Sequence, residues 1–185
     1  MSATTILTAV PTGTWAVDPA HSRVEFSVKH MGIATVRGHF TSFSGQLEIG
    51  EDGRAVARGT VEAASIDTNE PQRDDHLRSP DFFHADEHPE ITFASTAIEP
   101  KGDDELKITG ELTLHGITRE ITLDVEIAGS DTDPWGNERV GLEAKGELKR
   151  GDYGMKFNQV LGSGNVLVSD KVKLHLDISA VKQAA

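Results

Sequence analysis

The chain has 185 residues, no cysteine, and 30 acidic against 18 basic side chains, for a formal charge of -12. A chain this long hides roughly 70% of its unfolded surface on folding, so one domain without covalent staples is expected. The composition excludes disulfides, thiolate metal sites and cysteine nucleophiles, and the acidic surface argues against a nucleic-acid partner.

The opening MSATTILTAVPTGT has no positive n-region and no continuous apolar run, so it does not read as a secretory signal. Residues 1–13 are expected to form a flexible leader and 14–182 the domain, in a cytoplasmic protein. No stretch approaches the ~20 apolar residues of a spanning helix, so no stable membrane insertion is expected.

From Arg23 onward the pattern is period two. Val24, Phe26, Val28 and His30 alternate with Arg23, Glu25, Ser27 and Lys29, which makes a strand with one dry face and one wet face. The same reading gives strands over 24–30, 35–40, 43–49, 55–66, 91–99, 105–114, 120–127, 138–149 and 165–178. The segments between them are turn material, such as GEDGR at 50–54 and His115-Gly116. Gly38, Gly45, Gly59, Gly110, Gly141 and Gly146 fall inside strands, where glycine marks sharp bends and coiling. The predicted fold is therefore all-β: an antiparallel barrel of about eight strands.

The segment 71–90 interrupts the alternation and carries Pro71, Pro80 and Pro89. A short helix over 74–79, stopped by Pro80, is predicted there. Phe82 and Phe83 follow it, and such an insertion either caps a cavity or plugs the barrel end.

No spacing in the chain announces catalysis. Gly162-Ser163-Gly164 lacks the flanks of a nucleophile elbow, and neither HExxH nor a glycine-rich phosphate loop occurs. The expectation is no catalytic residue, no cofactor and no enzyme. His76, His84 and His88 lie near Asp75, Asp86 and Glu87, but read as a solvated acidic loop, so no metal is expected. His30 falls on the dry face of its strand, either as a buried hydrogen-bonded histidine or as a polar handle for a ligand headgroup. Arg73 and Asp74 read as ties from the loop to the barrel rim.

A barrel of this size either fills with side chains or holds one ligand. Small residues at Gly45, Gly59, Ala63 and Gly110 favour the second outcome. The expected lining, besides His30, is Phe26, Val28, Val36, Phe40, Phe43, Phe82, Phe83, Phe93, Gly110, Leu112, Tyr153, Met155 and Phe157. Burial at ~0.8 kcal/mol per CH₂ would hold a long apolar ligand without any charged group.

Several short motifs occur in order between Asp18 and Met155: DPAHS at 18–22 followed by Phe26 and His30, GHFTSFSG at 38–45, SIDT at 65–68, RDDHL at 73–77, DFF at 81–83, PEITFAS at 89–95, GELT at 110–113 followed by His115-Gly116, and RGDYGM at 150–155. In these the chain resembles the YceI-like proteins. The resemblance implies an extended, lipocalin-like barrel, often dimeric, that holds a long isoprenoid or related lipid in a tunnel. Many relatives carry an export signal, and this chain shows none. Three functions stay open: a binder or carrier of a polyisoprenoid, isoprenoid quinone or fatty acid derivative; an enzyme acting on such a lipid; and a stress-related structural module without ligand.

Overall fold

The structure, a computed structural model, describes residues 9–184. Eleven strands form one antiparallel sheet: β1 (Gly13–Val17), β2 (Arg23–His30), β3 (Ala34–Phe40), β4 (Phe43–Ile49), β5 (Ala55–Glu62), β6 (Ile66–Asp67), β7 (Glu90–Pro100), β8 (Glu105–Leu114), β9 (Ile117–Thr132), β10 (Glu138–Lys149) and β11 (Val168–Lys182). One helix, α1 (Pro71–Arg78), lies between β6 and β7.

The sheet closes because β11 is long enough to serve two partners. Its C-terminal end pairs with β1, Val17 opposite Ala180, and its N-terminal part pairs with β2, Phe26 opposite Leu174. β1 and β2 are thus one strand broken at 18–22. β3 and β4 are likewise one strand broken at 41–42, and β5 and β6 one broken at 63–65, since β4 pairs with β5 and β3 with β6. Counted this way, eight strands run around a closed antiparallel barrel.

The DPAHS motif builds the first of these breaks. Asp18 caps a single 3₁₀ turn by accepting from the Ala20 amide at 3.0 Å, and the buried Ser22 hydroxyl bridges the Ser179 amide and carbonyl of β11. Arg139, on β10, donates to Asp18 and to Asp133 at 2.8 Å each, which ties the β9–β10 turn to the same corner. That guanidinium holds the Asp18 carboxyl down to about 2 and pushes Asp133 down as well.

Inward residues alternate as the sequence predicts on β8 to β11, for instance Leu106, Ile108 and Leu112 on β8. On β7 a bulge between Ser95 and Ala97 shifts the phase, so Phe93 and Ile98 both face inward although they are five positions apart.

Several expectations need correction. The sequence pattern does not announce β1, because five residues with one buried aromatic, Trp15, are too few to display a period. The helix begins at Pro71 rather than Asp74: proline occupies the first helical position and the Glu70 carboxylate accepts from the Gln72 amide. The last strand covers Val168–Lys182 rather than 165–178. Within the stretch 1–13 expected as a flexible leader, Val10 is buried in the core and the Pro11 carbonyl accepts from Trp15 Nε1. Residues 1–8 lie outside the described residues.

Candidate functional site

The inward faces of the strands surround a cavity of about 310 Å³, at the lower end of the range of small-ligand sites. Its wall is almost wholly apolar. Val24, Phe26 and Val28 contribute from β2, Leu174, Leu176 and Ile178 from β11, and Leu142, Ala144 and Leu148 from β10. Arg58 and Glu25 also border it, but their side chains pair outside the barrel, Arg58 with Glu48 and Glu25 with Arg23. Among the described lining residues there is no histidine.

Nine of the fourteen residues expected to line a tunnel border this cavity: Phe26, Val28, Phe40, Phe43, Phe82, Phe83, Phe93, Leu112 and Met155. Phe40 makes tilted and edge-on contacts with Phe26 and Phe83, so the wall and the cap meet through aromatic rings.

Five do not border it. His30 stands half-buried at the end of β2, beside the Met31–Ile33 turn and past the last lining residue, Val28. Val36 pairs with Val28 and also lies beyond the cavity. Phe157 packs behind the wall, against His76 and Phe82 at 5.0 and 5.3 Å between ring centroids. Tyr153 is buried in a cluster with Leu112, Leu114 and Met155, and its hydroxyl has no partner among the described residues. Burial pushes the Tyr153 phenol up from its usual range.

Gly110 faces inward, but it makes no room for a ligand. A Cβ there would stand 2.5 Å from Phe93 Cζ and 2.6 Å from the Ala94 carbonyl, so the Phe93 ring already lies on this glycine. Phe26 covers Gly38 in the same way, at 2.5 Å. The glycine that borders open space is Gly59, whose Cβ would meet only the Ser44 carbonyl, at 3.6 Å.

The cap is held by the SIDT and RDDHL motifs together. Asp74, buried in α1, accepts from the Thr68 amide at 2.9 Å and from its hydroxyl, and Arg73 donates to the Thr68 hydroxyl and carbonyl at 2.7 Å each. Arg78 donates to the carbonyls of Ala64 and Ile66. These bonds fix α1 to β6, so that Leu77 of the helix and Phe82 and Phe83 of the turns after it reach the cavity. His76 does not join His84 and His88; its Nε2 pairs with Asp81 at 2.8 Å.

Sequence reading missed Arg150. It begins RGDYGM, and glycine and aspartate after it make the arginine look like part of a solvated turn. It is in fact 5% exposed and borders the cavity. Its guanidinium donates to four main-chain carbonyls, those of Ser169, Met155, Phe157 and Val168, at 2.8–3.1 Å, and lies over the Phe82 ring at 5.9 Å. Among the described residues no carboxylate neutralises it at contact distance, and burial pushes its pKa down. Four of its five N–H groups are thus used, and one on Nη2 remains.

Comparison with known proteins follows the same lines. Residues 15–180 match the YceI-like domain. The chain is 38% identical over 165 residues to Protein YceI of Shigella flexneri, covering 88% of this chain and 83% of that one. The crystal structure of Burkholderia cenocepacia BcnA superposes with a TM-score of 0.77 at 25% identity, over 88% of this chain and 98% of that one. A polyisoprenoid binding domain from Saccharophagus degradans shares the fold, with a TM-score of 0.68 at 16% identity over 91% and 98% of the two chains. With the family's domain matched over the whole barrel and its motifs forming the corner, the cap and the cavity wall, this chain belongs to the YceI-like family.

Proposed function

We propose that this protein binds and sequesters, or carries, a long apolar lipid in the barrel cavity: a polyisoprenoid, an isoprenoid quinone or a fatty acid derivative. The observation that carries this reading is an apolar cavity bordered by the aromatic rings of the cap. The Saccharophagus degradans neighbour, named for polyisoprenoid binding, supports it. Ten buried methylenes contribute about 8 kcal/mol before ordering costs, the free energy of a micromolar complex. His30 lies outside the cavity lining, so of its two readings the polar handle is set aside. The unused N–H of Arg150 takes that role, donating to a carbonyl, hydroxyl or phosphate oxygen of the ligand at the capped end. A second copy of the chain packs on the exposed apolar side chains Met31, Ile33, Val160 and Val166, giving the dimer that the family resemblance implies.

Titration of delipidated protein with a long-chain isoprenoid alcohol and a long-chain fatty amide tests this. Saturable one-to-one binding, with the lipid recovered chemically unchanged, supports a binder. Chemical conversion of the lipid replaces it with the enzyme reading, and absence of binding to either removes it. Light scattering coupled to size exclusion checks the dimer.

A further inference from the structure

His84 and His88 lie on the cap, and His115 sits in the two-residue turn between β8 and β9. One ring nitrogen from each falls within 4.8 Å of the others. The His88 ring lies between its neighbours, with centroids 5.9 Å from His84 and 5.0 Å from His115. From these positions we propose that the three imidazoles form a binding site for a divalent transition-metal ion of the zinc class.

Three features show a preformed site. The His115 Nδ1 lies 2.8 Å from the Tyr153 carbonyl. A carbonyl can only accept, so Nδ1 carries the proton and Nε2 keeps its lone pair free for a metal. Proteins commonly orient metal-ligating histidines with this kind of backbone bond. His84 and His115 have φ of 48° and 55°, left-handed conformations that bend the chain so that both rings reach the same point. A Cβ on Gly116 would stand 2.7 Å from His88 Cε1, so the bare glycine lets that ring approach the turn.

Tetrahedral ligation at about 2.0–2.1 Å places nitrogens about 3.4 Å apart, within reach of small side-chain rotations from the present spacing. Three neutral nitrogen donors select zinc, nickel or copper over magnesium and calcium, which take oxygen. A fourth position stays open to water. The sequence groups His84 and His88 with His76, but His76 is paired with Asp81, and His115 becomes their neighbour only when β7 pairs with β8. Metal here would join the cap to the barrel hairpin beside the cavity. The site stands independently of whether the cavity binds lipid.

Untagged, chelator-treated full-length protein is titrated with zinc chloride by calorimetry, and with cobalt(II) by visible absorption. The expected result is one equivalent bound, the intense d–d bands of tetrahedral cobalt, and a melting point raised by about 5–10 °C at a hundredfold excess over Kd. Magnesium and calcium should give none of these. His88→Gln and His115→Asn, each still folded by circular dichroism, should weaken zinc at least 100-fold, while His76→Asn should leave it unchanged. Asparagine is chosen at 115 because it tolerates the left-handed backbone, and His88→Gln gives a second probe if His115→Asn fails to fold. Wild-type protein that takes up no zinc, or folded His88→Gln that binds it as wild type does, overturns the proposal.

Discussion

Gly59→Leu is the substitution that separates a ligand-holding cavity from an incidental void. Gly59 on β5 pairs with Phe93 on β7 and Gly45 on β4, which places it on the inner face of the barrel. A side chain added there meets only the Ser44 carbonyl at 3.6 Å, and the backbone is outside the left-handed region, so leucine enters the cavity without backbone strain. Its four carbons take the place of about four methylenes of ligand, a loss of about 3 kcal/mol at 0.8 kcal/mol each. That is about a 200-fold rise in Kd. Fluorescence titration of delipidated wild type and variant with a long-chain fatty acid probe measures it, with circular dichroism confirming that both are folded. An unchanged Kd in folded Gly59→Leu would refute the reasoning, since the tail would then not run past β5. The corresponding change at Gly110 tests nothing, because leucine there must displace the Phe93 ring or the β7 backbone before it reaches the cavity.

Arg150→Met should lower stability by at least about 3 kcal/mol in urea, because four main-chain carbonyls lose a charged donor at once. A change below 1 kcal/mol would mean that water replaces the guanidinium there. Tyr153→Phe should be neutral or stabilising by up to about 1 kcal/mol, since it removes a buried hydroxyl that has no partner among the described residues. Tyr153 is the only tyrosine in the chain, so phenolate absorbance reads it alone and should show titration above pH 10. Asp18 is held at about 2, below its unfolded value near 3.9, so its stabilisation is complete above about pH 4 and lost as pH falls toward 2. Urea midpoints over that window should fall less steeply in Asp18→Asn than in wild type.

The parts of the fold that were legible are those in which one physical cause acts alone. On β8 to β11, burial of one face imposes period two, and the sequence displays it. On β7 the bulge after Ser95 changes the phase, and no residue there announces it. The same limit governs the site. Phe82 and Phe83 stood out because two adjacent rings are anomalous in a polar loop. Gly38 and Gly110 were recognisable as inward glycines, but whether a glycine leaves space or supports a ring depends on the strand beside it. Arg150 was hidden because a buried arginine satisfied by carbonyls looks, in sequence, like any arginine in a turn. His115 belongs with His84 and His88 only through strand pairing, which brings positions about thirty residues apart together across the barrel end.

Native mass spectrometry of the protein purified without detergent, followed by solvent extraction and lipid mass analysis, tests the central claim most directly. The cavity predicts one long-chain apolar lipid per polypeptide from wild type, and little or none from folded Gly59→Leu. Wild type without lipid, which also fails to take up an isoprenoid or fatty amide when offered one, would contradict a lipid-binding barrel.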